Sequence, residues 1–318
     1  MFKRAICAAA IAALPFHTAH AEDIVVSQWG VSMATAEYAV ALDQGFFKAA
    51  GAPVTGVVSA QGAGSAVRTV LVANGALGFG VVSLSAAVSA IQKGEELKIV
   101  SVGARSVADT VLVTTKESPV KTLADLKGQS IAITGPRGWS DSFAALAVKH
   151  AGIDAQDVKR VALGSLSGAL TGLSKGTVQA SFLLEPLASM RQGEYRVIFD
   201  GSHLPPMVQS VGVATTDLIR TRPEAIRAII AARKMAVASI RADPARAAAS
   251  MAKYFQRVPA DVIEKVIRTL AAANYWSDGD FEIAAMERML DGLRFTGGFQ
   301  GAANWEQALD TSFVAKRP

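Results

Sequence analysis

From residue 22 onward the chain switches repeatedly between two hydrophobic rhythms. Short runs such as Ile24-Val25-Val26, Pro53 to Ser59, Leu77 to Val82 and Leu97 to Val102 have the length and β-branched content of strands. Between them, Ala36 to Phe47, Ser65 to Ala73 and Ser85 to Gln92 space their apolar residues at helical intervals. Gly51, Asn74-Gly75 and Gly94 stand where those helices should stop. Strand and helix alternating in this way predict an α/β lobe whose sheet is covered on both faces.

A second series follows the run Val111 to Thr115. Ser130 to Thr134, Val158 to Leu163, Ala180 to Leu184 and Val197 to Phe199 read as strands, and Ser140 to Ala151 and Gly168 to Ser174 as helices. It repeats the first series in miniature: Ala73-Asn74-Gly75-Ala76-Leu77 and Ser174-Lys175-Gly176-Thr177-Val178 both join a helix to a strand through an Xaa-Gly turn. After one more strand, Val211 to Ala214, the chain turns helical. Pro223 suits a first-turn position, and Ile226, Ile229, Ile230, Val237 and Ile240 share one face. Asp243-Pro244 and Val258-Pro259 open two further helices, and Phe281 to Leu293 forms the last. The expected organisation is a first lobe from 22–110, a second from 111–207, and a largely helical return, 208–318, packed on the first. Two crossings of this kind make a hinge with a cleft.

The N-terminus stands apart from this pattern. Lys3 and Arg4 precede an apolar run from Ala5 to Phe16, and Ala19-His20-Ala21 fits a cleavage site, so residues 1–21 read as a secretory signal peptide cut after Ala21. The run is too short to span a bilayer, which takes about 20 apolar residues. Removing it lowers the formal net charge from +5 to +3 and takes away Cys7, His17 and His20. The rest of the chain has no cysteine and only His150 and His203, so disulfides, thiolate catalysis and a Cys/His metal centre are excluded. Basic residues do not cluster with interleaved aromatics, which argues against nucleic acid. Gly62-Ala63-Gly64 lacks the third glycine of a dinucleotide fingerprint, and Gly164-Ser165-Leu166-Ser167-Gly168 has Leu where a nucleophile elbow needs Ser.

Several ordered stretches resemble one family, the substrate-binding proteins of ABC importers for nitrate, alkanesulfonates and taurine, which also includes binders of thiamine-pyrimidine precursors. They are Glu37-Tyr38-Ala39-Val40-Ala41-Leu42-Asp43-Gln44-Gly45-Phe46-Phe47, Leu123-Ala124-Asp125-Leu126-Lys127-Gly128-Gln129-Ser130-Ile131-Ala132, Thr134-Gly135-Pro136 and Leu184-Glu185-Pro186. The resemblance implies a two-lobed periplasmic binding protein of type II. It further implies a small-molecule ligand, an inner-membrane ABC permease with its ATPase as partner, no cofactor, and a monomer. The pyrimidine synthases that resemble this fold use a cysteine-rich segment for which this chain has no residues. A periplasmic enzyme, a ligand sensor and a binder of a pyrimidine-like heterocycle remain the alternatives.

A cleft of this kind needs hydrogen-bond donors aimed at a small ligand, and helix N-termini supply them. Gln61 to Ser65, Val82 to Ser85 and Thr134 to Ser140 lead into helices from the carboxyl ends of strands, where open α/β sheets bind ligands. Micromolar affinity requires about 8 kcal/mol, whereas one helix terminus contributes roughly 0.3–1 kcal/mol. Charge-assisted hydrogen bonds at about 1.5–3 kcal/mol each must therefore supply most of it. The expected ligand-facing set is Trp29, Ser32, Gln61, Ser65, Ser83, Arg105, Arg137, Trp139, Ser140 and Glu185. Each has a plainer reading: the serines as helix caps, the tryptophans as core, Arg105 as a hinge pin, and Glu185 as a helix-start or lobe-contact residue. Arg68, on a helix, reads as a solvated side chain.

Overall fold

The computed structural model describes residues 22–60, 62–72, 76–314 and 316–317. The signal segment, Gln61 and the Asn74-Gly75 turn lie outside the described residues. In the first half the elements are β1 (Glu22–Ser27), α1 (Ala36–Asp43), α2 (Phe46–Ala49), β2 (Val54–Ala60), α3 (Ala63–Val72), β3 (Ala76–Ser83), α4 (Leu84–Gln92) and β4 (Leu97–Val102). Then come β5 (Thr110–Thr115), β6 (Ser130–Ile133), α5 (Trp139–His150), β7 (Lys159–Ala162), α6 (Leu166–Ser174), β8 (Ser181–Leu184), α7 (Leu187–Met190) and β9 (Tyr195–Asp200). The return contains β10 (Ser210–Thr215), α8 (Thr216–Thr221), α9 (Pro223–Ala242), α10 (Pro244–Ala252), α11 (Ala260–Ala272), β11 (Phe281–Glu282), α12 (Ile283–Phe295), a short α13 (Trp305–Ala308) beyond the helix expected to be last, and β12 (Lys316–Arg317).

The first sheet has the order β2-β1-β3-β10-β4, with β1, β2 and β3 parallel and β10 antiparallel to both its neighbours. In the second half β8-β5-β9 and β6-β7 are linked by a parallel bridge between Ile131 and Ala180, where the Ala132 N–H donates to the Ala180 carbonyl at 2.9 Å. Taken together the order is β7-β6-β8-β5-β9, again with one antiparallel strand, β5, in fourth place. Each sheet thus receives as its antiparallel member the strand that enters just after a crossing. The likeness of the two series in sequence extends to the same strand order. The molecule is an α/β, two-lobed, type II periplasmic-binding-protein fold, crossed between β4 and β5 and again between β9 and β10.

The return helices cover the first lobe on the side of α1. Ile226, Ile229, Ile230, Val237 and Ile240 are all buried, and α9 packs on α1 and α2. On that apolar face sits Arg233, with no exposed surface. It donates from Nε to Glu37 at 3.0 Å and from its two terminal nitrogens to the carbonyls of Ser277 and Gly103 at 2.9 Å each. The Arg233 fork ties α9 to α1 and to the end of β4, where the first crossing starts. The run Ala36 to Phe47, expected as one helix, is two, because Gly45 takes φ +71° between them. The tail packs on the first lobe through α9 and α10, and α12 reaches further: it lies on α5 of the second lobe as well as on α4 of the first. At Gly292 a Cβ would stand 2.5 Å from the Ser142 carbonyl oxygen, so only glycine lets the two helices approach this closely.

Candidate functional site

Between the lobes lies a cleft of about 510 Å³. Its first-lobe wall combines Ser27, Gln28, Ser32 and Thr35 near β1 with one face each of α3 and α4. Thr134 to Trp139, Gly164 and Leu184 form the second-lobe wall, and Gln209 and Ser210 lie at the second crossing. Strand carboxyl ends in both lobes therefore aim helix N-termini at one space.

The termini are finished differently. Ser83 caps α4 by accepting from the Ala86 N–H at 3.3 Å, and Ser32 accepts from the Ala34 N–H at 3.2 Å. Ser65 is turned back on its own loop, donating to the Gly62 carbonyl at 2.8 Å. The N-cap of α5 is Gly138, which has no side chain to offer, so the first turn of α5 is left uncapped beside the cleft.

Arg137 precedes this uncapped turn in the left-handed region, φ +60°, a conformation that costs a non-glycine residue roughly 1 kcal/mol or more. Two contacts hold it there. Its N–H donates to Asp141 Oδ2 at 2.8 Å, while Asp141 Oδ1 pairs with Arg160 Nε at 2.8 Å. A Cβ at Gly298, just past α12, would stand 2.6 Å from the Arg137 Cγ, so the bare glycine makes room for the arginine stem. No acidic side chain among the described residues pairs with the Arg137 guanidinium, and the same holds for Arg68 and Lys93, the other cations lining the cleft. Among the described residues, the one acid in the lining is Glu95. Trp139 stacks on Phe143 with centroids 5.6 Å apart and meets Phe182 edge-on, and its Nε1–H is buried without a partner.

Of the ten residues expected at the ligand, Ser32, Ser83, Arg137 and Trp139 line the cleft. Ser65 lies behind it in the Gly62 turn. Trp29 packs edge-on against Tyr254 at 5.2 Å, outside the lining. Ser140 is buried and holds the Thr134 N–H at 2.9 Å, shaping the loop from behind. Arg105 pairs with Glu282 at 2.7 Å, joining the first crossing to the tail as a pin. Glu185 accepts from the Ser189 N–H and hydroxyl at 3.1 and 3.0 Å, starting α7; burial raises its carboxyl above the usual range. Gln28 and Gln209, which carry no motif, also line the cleft without having been expected there, and Arg68 is exposed as expected yet stands at the cleft.

At the hinge, Gln209 donates to Asp109 Oδ1 at 3.2 Å and accepts from the Tyr275 hydroxyl at 2.5 Å, while Thr110 donates to the same Asp109 oxygen at 3.0 Å. Full burial pushes the Asp109 carboxyl up to about 6 against the pull of these hydrogen bonds. A second cavity of about 340 Å³ opens behind the hinge, between the second lobe and α11. Leu184 lines the cleft, whereas Leu183 and Glu185 line this rear cavity, so the two spaces lie on opposite faces of the β8 chain.

The family model described as NMT1/THI5 like matches residues 33–247. The chain belongs to the NMT1/THI5-like family. No curated protein matches the sequence. Among solved structures, the fold is similar to that of the periplasmic aliphatic sulphonate binding protein SsuA from Escherichia coli, with 20% identity, coverage of 91% of each chain and a TM-score of 0.69. The alkanesulfonate-binding protein SsuA from Xanthomonas axonopodis pv. citri, solved with MOPS, gives 14% identity, 94% coverage of this chain, 99% of that one and a TM-score of 0.72. The desulfurization enzyme DszB shares the fold at 16% identity, 92% and 97% coverage and a TM-score of 0.62. Among the described residues of this family member, no helix is long and apolar enough to cross a membrane.

Proposed function

We propose that this member of the family is the solute-binding component of an ABC importer, exported with cleavage after Ala21 and acting as a periplasmic monomer. It captures a small organic anion in the cleft and delivers it to a membrane permease and its ATPase. The observation that carries the reading is the convergence of Arg68, Lys93 and Arg137, none held by an acid, with the uncapped α5 terminus on one cleft between two hinged lobes. A guanidinium and backbone N–H groups together suit a sulfonate or carboxylate, whose oxygens accept several donors at once. The sulphonate-binding neighbours support the same chemical class.

The fold of DszB keeps an enzyme in view, but among the described residues the cleft lining offers no cysteine, no histidine and a single carboxylate, Glu95. That set lacks the paired nucleophile and base of hydrolytic catalysis, so we read the protein as a binder. Titration calorimetry with sulfonates, carboxylates, taurine and nitrate tests this. Arg137→Ala is expected to weaken the best anion at least tenfold, about 1.4 kcal/mol. Unchanged affinity removes Arg137 from the site, and catalytic product formation overturns the binding role.

A further inference from the structure

The rear cavity has the makings of a site of its own. Its volume of about 340 Å³ falls within the range of small-molecule pockets, roughly 300–1,000 Å³. The floor is one face of the second-lobe sheet, where Leu183 stands opposite Val111 and Val113 opposite Val197. Val197 stays more than half exposed although it is apolar and in mid-strand. Facing this floor, α11 presents Lys265, Val266, Thr269 and Leu270, which share one side of the helix. The charged groups lie around these apolar walls. Arg191 is engaged: Nε and one terminal nitrogen donate to Glu194 Oε2 at 2.8 and 2.6 Å, and the guanidinium lies 4.8 Å over the Tyr195 ring. Glu185 accepts only from Ser189, and Asp200 accepts from the Ser202 N–H at 2.8 Å. Among the described residues neither carboxylate has an ion-pair partner, and neither does Lys265. Burial raises the Glu185 carboxyl, Lys265 pulls it the other way and Asp200 adds to the rise. Two carboxylates against one free ammonium leave the cavity short of positive charge.

We propose that the rear cavity is a second ligand site, which takes a small organic cation: a primary amine whose ammonium meets Glu185 and Asp200 and whose alicyclic or aromatic body covers the β8-β5-β9 floor. The division follows from desolvation. A partly buried carboxylate without a counter-charge is costly, and an ammonium relieves that cost while its three N–H groups find acceptors. The aliphatic floor asks for a body with no polar atoms, which a hydrated metal ion does not provide. The floor belongs to the second lobe and α11 to the return packed on the first, so an occupant touches both. It resists their approach at the rear, which is the motion that opens the cleft. An amine in the rear cavity and a ligand in the cleft should therefore each favour the same closed arrangement, and by linkage each raises the affinity of the other.

The test needs no cleft ligand, so it stands apart from the anion reading. Calorimetry on the purified protein compares cyclohexylamine and 2-phenylethylamine with cyclohexanol and cyclohexanecarboxylate. The amines are expected to bind at least tenfold more tightly than the alcohol or the acid, and to lower the radius of gyration in solution scattering. Glu185→Gln, which keeps an oxygen for the Ser189 N–H, is expected to weaken the amines at least tenfold. Should that variant fail to fold, Thr269→Trp, which fills the cavity from an exposed position on α11, gives the same loss. Failure of both amines to bind overturns the site. Equal binding of the carboxylate overturns the choice of a cation, and amine affinity that survives substitution in a folded variant places the amine elsewhere. Binding with an unchanged radius of gyration overturns the link to closure.

Discussion

Burial sets the charge of Asp109. The residue has no exposed surface, and its carboxyl is pushed up to about 6 where hinge strands and tail meet. An unfolded chain releases that proton near pH 3.9. Between these values the native state binds the proton more tightly, so this group's contribution to stability is present at low pH and falls as pH rises from about 4 through 6. The loss approaches about 3 kcal/mol. Asp109→Asn should remove this slope: the difference in unfolding free energy between variant and wild type, from urea titrations, is expected to shift by about 2–3 kcal/mol in the variant's favour between pH 4 and 7. A difference that is flat with pH places the Asp109 titration elsewhere. No local pattern marks this network, because Asp109, Gln209 and Tyr275 are distant in the chain and of ordinary type. Arg137 and Trp139 were readable as cleft residues because they sit in a glycine-containing loop leading into a helix. Arg105 and Glu185 likewise lie in connections just past strand ends, yet each has found an intramolecular partner.

At the scale of elements, periodicity located the strands and long helices of both lobes, since alternate burial and helical spacing are properties of consecutive residues. What it missed are boundaries and contacts: the break at Gly45, the short α8, and the destination of α12. The hydrophobic face of α12 announces burial but not against which partner. Its approach to α5 depends on Gly292, where an added Cβ would meet the Ser142 backbone, which cannot yield as a flexible side chain can. Gly292→Ala should therefore destabilise the protein by about 1–3 kcal/mol, even though alanine favours an isolated helix by roughly 1 kcal/mol. Urea denaturation distinguishes the two, and a gain in stability would show that the helices have room to separate.

For the whole molecule, the arrangement of the cleft and the rear cavity on opposite faces of β8 has a mechanical consequence. Bending that narrows one space widens the other. Thr269 on α11 is exposed and lines the rear cavity. Thr269→Trp should wedge the rear open, bias the lobes toward closure, lower the radius of gyration of the ligand-free protein in solution scattering and tighten ligand binding by roughly threefold or more, since the closing cost is partly removed before the ligand arrives. Scattering and affinity both unchanged would mean that the hinge bends about another axis. The Arg233 fork and the Arg105–Glu282 pair lie beside the same crossing and join the tail to it, so the tail is part of the hinge structure as well as a cover for the first lobe.

By itself the sequence determined the α/β class, the two series of elements, the helical return and the absence of thiol chemistry past residue 21, because each follows from local periodicity or from composition. The tertiary structure decided which loops share a cleft, which charged side chains remain unpaired there, and that a second cavity lies behind the hinge. These depend on residues far apart in sequence being brought within a few ångströms. An arginine that finds a carboxylate pins the fold, as Arg105 does, while one that finds none, as at Arg137, keeps its guanidinium unpaired at the cleft.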